Sequence, residues 1–244
     1  MPRFFCDLNL APGHVVALPD PVARHAVGVL RLRAGEAVTL FNGDGAEYRG
    51  VLETGGGKGA MARLDARQEP LRESPLSVHL AQGISSGDRM DLTLQKSVEL
   101  GVAAIQPLMM RRTLVRLGED KAARRRAHWR GVVTAACEQC GRNVLPPVAE
   151  IHEFVAWQRG LGASGDGMRL LLDPEGEARL GDLPPPTAPI LLLAGPEGGL
   201  DPAERELARA AGFIGLRLGP RVLRTETAAL AALAAMQAIW GDFG

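Results

Sequence analysis

Cysteine is nearly absent: Cys6, Cys137 and Cys140 are the only three in 244 residues. An odd handful in a chain this long excludes a disulfide framework. Aromatic residues make up 4% of the chain, so few rings could stack on a nucleobase. Phe4, Phe5 and Phe41 are candidates, and core packing suits each of them as well. No apolar run approaches the roughly 18 residues that suggest a membrane span. The first residues hold no apolar stretch long enough for a secretory leader, so a cytoplasmic protein is expected. Neither sign of charge is in excess, with 28 Lys and Arg against 28 Asp and Glu. That balance argues against coating nucleic acid by charge alone, but leaves room for a local basic patch. Two nucleotide signatures are missing as well. No G-x-G-x-x-G follows the first strand of the second half. Gly55-Gly56-Gly57-Lys58-Gly59 lacks the Ser or Thr of a P-loop and joins two apparent strands. An ATP-dependent or dinucleotide-dependent enzyme is disfavoured.

What is present divides near residue 70. The spacing predicts strands over 14–18, 36–41, 46–53 and 60–68, with turns at Asn42-Gly43-Asp44-Gly45 and at 54–59. Asp20 as N-cap and Pro21 at the first helical position predict a helix to about Leu30, burying Val22, Ala26, Val29 and Leu30. This is the pattern of a small β-barrel with one helix. Residues 69–75, polar with two prolines, read as a linker. Strands and helices then alternate. Strands are predicted over 77–83, 103–110, 168–173, 190–194 and 213–218. Helices are predicted over 88–100, 120–140 and 152–159, from Asp201-Pro202, and over 225–240. Such alternation implies a mostly parallel sheet covered on both faces. Pro184-Pro185-Pro186 reads as a stiff connector.

Three loops follow strands in the second half, where ligands gather in open α/β sheets. They are Leu172-Asp173-Pro174-Glu175-Gly176, Gly195-Pro196-Glu197-Gly198-Gly199, and Leu218-Gly219-Pro220-Arg221-Val222-Leu223-Arg224-Thr225-Glu226-Thr227-Ala228. Taken alone, the second reads equally well as a tight turn before a capped helix. The third crowds Arg221, Arg224 and Glu226 against an alanine-rich helix, and charges so placed need partners or a task. Cys137 and Cys140 share one helix face, which suits packing better than zinc, since no second ligand pair stands nearby. The five histidines show no ligand spacing, and no metal is assigned.

The paired loops at 195–199 and 218–228 resemble the signature of the SPOUT methyltransferases. More narrowly, they resemble the RsmE family, which methylates N3 of one uridine, position 1498, in 16S ribosomal RNA. Gln95–Gly101, Ala136–Asn143, Arg24–Arg31 and Leu40–Gly43 are similar to that family too, so the resemblance covers essentially the whole chain. It implies an α/β protein with a PUA-like RNA-binding β-barrel over residues 1–70. A SPOUT domain over 71–244 would close in a C-terminal trefoil knot. It also implies S-adenosyl-L-methionine as cofactor, a homodimer, and 16S rRNA within the small ribosomal subunit as partner. Asp173 departs from a His that some relatives carry before the proline, which leaves the backbone of that loop as the part carried over.

The expected cofactor-binding residues are Leu172, Asp173, Gly195, Pro196, Glu197 and Gly198, with Leu218, Gly219, Leu223, Thr225, Thr227 and Ala228 from the third loop. Attack by a uracil nitrogen requires alignment, loss of a proton and stabilisation of an anion. Arg224 is the candidate for the anion, because a guanidinium is always charged. The alternative is a structural ion pair with Glu226 or Glu197. Glu226, or else Glu197, is the candidate base. RNA contacts are expected from Arg24, Arg31 and Arg33 with His25, and from the basic stretch of Arg111, Arg112, Arg116, Lys121, Arg124, Arg125, Arg126 and Arg130. Arg142 is expected at RNA or a partner subunit. A solvated helix face is the alternative for the basic stretch. Two rival functions remain: a ribose 2′-O-methyltransferase sharing the cofactor loops, and a ribosome-assembly factor without activity.

Overall fold

The computed structural model describes residues 1–54, 59–115, 117–162 and 167–244. The glycine-rich turn at 55–58 and Arg116 lie outside the described residues. The chain forms two compact units, Met1–Glu73 with Cys137–Leu145, and Ser74–Ala136 with Pro146–Gly244.

The first unit is a curled five-stranded sheet. In chain order its strands are β1 (Arg3–Phe5), β2 (Val15–Ala17), β3 (Ala37–Phe41), β4 (Glu47–Thr54) and β5 (Ala60–Gln68), arranged β1-β3-β4-β5-β2. The β3–β4 hairpin is set by its turn. The Asn42 side chain accepts from Asp44 N–H, and Asp44 accepts from Ala46 N–H and from the Tyr48 hydroxyl at 2.7 Å. A core of Phe4, Leu18, Val38, Leu40, Leu52 and Leu64 fills the curl. β1, which the pattern did not predict, pairs parallel with β3.

The expected helix over 20–30 is corrected in three respects. Regular α-helix covers only α1 (Asp20–Ala23), and a π-helical segment, Arg24–Val29, continues it. The N-cap is Pro19, with no side-chain cap bond, rather than Asp20. Gly28 between two β-branched valines favours the helix little, and the wider π turn rotates its face. Ala26 stays buried, but Val29 and Leu30 turn outward, 70% and 45% exposed.

The second unit carries an all-parallel sheet in the order β11-β9-β10-β6-β7-β8. Its strands are β6 (Val78–Gly83), β7 (Ala104–Met109), β8 (His152–Glu153), β9 (Met168–Leu172), β10 (Ile190–Ala194) and β11 (Ile214–Leu216). β10, Ile-Leu-Leu-Leu-Ala, reads as one apolar run because helices cover both faces of a central parallel strand. The helices are α2 (Asp88–Glu99), α3 (Glu119–Cys140), α4 (Phe154–Arg159), α5 (Pro202–Ala210) and α6 (Thr225–Trp240). The segment predicted as a helix over 152–159 begins instead as β8, whose two residues extend the sheet edge beside β7. α5 starts on a capping box. Asp201 accepts from Ala203 N–H, and the Glu204 carboxylate accepts from Asp201 N–H.

β9, β10 and β11 are neighbours and run parallel. Their carboxyl ends therefore present the three loops side by side.

Candidate functional site

Those loops enclose a cleft of about 330 Å³. Leu171, Leu216 and Ala194 line it as buried apolar surface. Of the residues expected to bind a cofactor, Leu172, Asp173, Gly195, Pro196, Glu197, Gly198, Leu218, Gly219, Leu223, Thr225 and Ala228 line the cleft. Thr227, exposed on α6, does not. Arg224 lines the cleft together with Arg221 and Arg112.

A small hydrogen-bond lock holds the loops at this spacing. Thr225 donates its hydroxyl to the Gly195 carbonyl, and the amide nitrogen of fully buried Gln82, at the end of β6, donates to Thr225 Oγ1 and to the same carbonyl. The chains then approach too closely for side chains at key glycines. A Cβ on Gly83 would lie 2.5 Å from the Pro196 nitrogen, and one on Gly195 would lie 2.6 Å from Leu200 Cδ1. Gly199 and Gly219 turn their loops at φ +68° and +86°, which L side chains rarely adopt.

The carboxylates at the site are held by other groups. Glu197 Oε1 accepts from Ser86 N–H at 2.7 Å and from the Ser86 hydroxyl at 2.8 Å, and it pairs with Arg89 at 3.3 Å. Burial pushes the Glu197 carboxyl up, but the Ser86 bonds and Arg89 outweigh it and hold the group below the ordinary carboxylate value. Glu226 stands 3.9 Å from the Arg89 Nε and does not line the cleft. Asp173 is 3% exposed. It lies 3.5 and 3.6 Å from Arg205 and Arg209 of α5 and accepts from Glu175 N–H, so its side chain shapes its own loop. Arg224 is exposed, and among the described residues it has no ion pair with Glu226, Glu197 or any other acid. The rival structural role for Arg224 therefore lacks its partners.

The basic residues are placed unevenly. Arg24, Arg31 and Arg33 are exposed on and after the π segment, with Arg31 at φ 57°. Arg111 pairs with Asp201, and Arg112 donates to the Gly198 carbonyl at the cleft. Arg124 and Arg125 line a second, shallow hollow with His128 and the start of α2. Arg142 is the exception. It is 6% exposed and grips Glu73 at 2.6 Å. Its neighbour Asn143 accepts from Arg3 at 2.6 Å and donates to the Gly45 carbonyl. The 136–143 motif thus holds the first unit together. Buried Cys137, its thiol pushed up to about 12 chiefly by burial, packs there. Among the described residues no group of three or more His, Cys, Asp or Glu side chains could hold a metal.

Sequence reasoning missed Gln82, Ser86 and Arg89. They belong to no motif, and their one signal was position at the carboxyl end of the predicted strand 77–83 and just beyond it.

The chain matches known proteins along its length. Residues 72–237 match the RNA methyltransferase domain family, and residues 18–64 match the RNA methyltransferase PUA domain. The chain is similar to a ribosomal RNA small subunit methyltransferase E from Neisseria gonorrhoeae, solved bound to S-adenosyl methionine. They share 45% identity over 100% of both chains, with a TM-score of 0.92. A Legionella pneumophila protein solved with the cofactor SAM shares 39% identity, covering 99% and 98% of the two chains, with a TM-score of 0.93. A ribosomal RNA small subunit methyltransferase E from Buchnera aphidicola is 31% identical over 99% of this chain and 98% of its own length. The match runs through both units and every loop of the cleft, and on it the chain belongs to the ribosomal RNA small subunit methyltransferase E family.

Proposed function

We propose that this chain transfers the methyl group of S-adenosylmethionine to N3 of a uridine, position 1498, in 16S rRNA. The observation that carries the reading is a guanidinium, Arg224, without an ion pair among the described residues, lining a cleft in a chain whose relatives are solved with that cofactor. The residues present fit such a group. Leu171, Leu216 and Leu218 offer an apolar slot for a purine, and the loops around Gly195, Gly198 and Gly219 bring backbone donors and acceptors to its edge. When bound, the cofactor supplies a methyl group on a positively charged sulfur.

The chain's own residues do the rest. Arg224 stabilises the negative charge that grows on the uracil as N3 gives up its proton. Glu226 stands just outside the cleft, its Oε2 without a hydrogen-bond partner among the described residues, and takes the proton through one bridging water. Thr225, bonded to Gly195, fixes the start of α6 so that Arg224 and Glu226 keep their places.

The remaining parts of the reading follow the family. Residues 1–70 act as the RNA-binding unit and 71–244 as the catalytic one, with the third loop and α6 threaded in a trefoil knot, a rare exception among folds. The enzyme works as a cytoplasmic homodimer. Exposed Arg24, Arg31, Arg33, Arg112 and Arg124, with half-buried Arg125, meet RNA, while Arg142 serves the first unit's interior. Zero net charge favours the assembled small subunit, where shape supplements charge, over naked RNA. Nucleoside mass spectrometry after reaction with small subunits lacking base methylation tests the reading. Appearance of 3-methyluridine supports it, and a 2′-O-methyl nucleoside instead contradicts the choice of acceptor.

A further inference from the structure

Arg89 stands where a cation is least welcome. It follows Gly87, the N-cap of α2, by two residues, in a first turn whose other charges are Asp88 and Asp91. A helix N-terminus carries partial positive charge, so arginine there needs compensation from outside the helix. Two carboxylates supply it. Nη1 reaches Glu197 in the loop after β10 at 3.3 Å, and Nε reaches Glu226 in the first turn of α6 at 3.9 Å. For Glu226 this is the one ion pair among the described residues. Each carboxylate keeps a buried Oε2 with no hydrogen-bond partner among the described residues. Without Arg89, two largely buried carboxylates would share one region with no cation between them. One would then swing outward or take up a proton.

We infer that Arg89 is a positioning residue for methyl transfer, holding Glu226 in place and tying it to the cofactor loop through Glu197. This rests on the reading given under Proposed function. The guanidinium does not line the cleft; it acts through Glu226.

Steady-state methyl transfer by the full-length protein on small subunits tests it, with Arg89→Met, Arg89→Lys, Glu226→Gln and the Arg89→Met/Glu226→Gln pair. Arg89→Met should lower kcat about tenfold and leave KM for S-adenosylmethionine within about threefold. Arg89→Lys should recover most of the rate. In the Glu226→Gln background the same Arg89→Met change should cost less than about twofold, because its target is already gone. Full activity of Arg89→Met overturns the inference. So does a rise in KM at constant kcat, or an undiminished cost in the Glu226→Gln background. If Arg89→Met does not fold, Arg89→Lys decides: a rate near wild type supports the inference, and a deep loss with normal unfolding overturns it. Wild type that transfers no methyl group sinks the methyl-transfer reading itself, whereas active wild type with an unimpaired Arg89→Met sinks only the role of Arg89.

Discussion

The Thr225 hydroxyl donates to the Gly195 carbonyl at 2.5 Å, joining the first residue of α6 to the loop after β10. Gln82 bonds both partners from below, at 3.0 and 3.3 Å. Thr225→Val keeps the shape but removes the hydroxyl, so the Gly195 carbonyl loses its shortest donor and the buried Gln82 amide keeps only the Gly83 and Gly195 carbonyls as acceptors. The expected cost is about 1–3 kcal/mol of stability, with weaker cofactor binding. Urea unfolding and calorimetric titration measure the two effects separately.

Glycines at the site should rank by what a methyl group would meet. Gly83→Ala places a Cβ against the backbone nitrogen of Pro196 at 2.5 Å, where nothing flexible can yield. A loss of about 2 kcal/mol or more is expected. Gly199→Ala meets nothing within 4 Å but must hold φ +68°, which costs about 1 kcal/mol. Thermal unfolding of the two variants should preserve that order.

Glu47 in the first unit is 2% exposed and gathers Arg3, Arg72 and Arg49. Burial raises its carboxyl, but the three arginines more than offset this, so its folded value lies below the ordinary glutamate value of 4.5. A carboxylate depressed on folding stabilises the fold fully above its unfolded value. That contribution fades as pH falls from about 4.5 through the folded value. The stability gap between wild type and Glu47→Gln should be about 3 kcal/mol at neutral pH, the usual cost of breaking a buried pair. It should narrow only below pH 4.5. Unfolding free energies measured from pH 7 to 3 check both statements.

The thiols should differ in reactivity. Burial, with Glu138 adding to it, pushes Cys6 up to about 12, and burial is also the chief cause at Cys137. Cys140 is only half-buried. Iodoacetamide at pH 8 should label Cys140 in the native protein and reach the other two only after unfolding, because the thiolate is the nucleophile. Peptide mass spectrometry reads the order directly.

Local pattern was enough for elements that the sequence punctuates itself. β10 and α6 occupy the predicted residues, and Asp201-Pro202 opens α5 with the anticipated cap. Loops grouped by following neighbouring strands were legible for the same reason, which is how Gly195, Leu218 and Arg224 could be placed together. Interactions set by distant chain were not legible. β1 is three residues long and gains its identity only by pairing with β3. Arg142 has the sequence context of a surface arginine, yet Glu73, distant in sequence, buries it. Arg89 gave no signal because its meaning lies in Glu197 and Glu226, which the fold brings from the loop after β10 and the first turn of α6.

The most direct test of the account separates binding from turnover at Arg224. Arg224→Ala and wild type would be compared for S-adenosylmethionine affinity by calorimetry and for methyl transfer to unmethylated small subunits. The account predicts affinity within about threefold of wild type and turnover lower by about 10²-fold or more, the usual cost of losing one preorganised group that stabilises transition-state charge. Turnover close to wild type, or a loss fully explained by weaker cofactor binding, would contradict it.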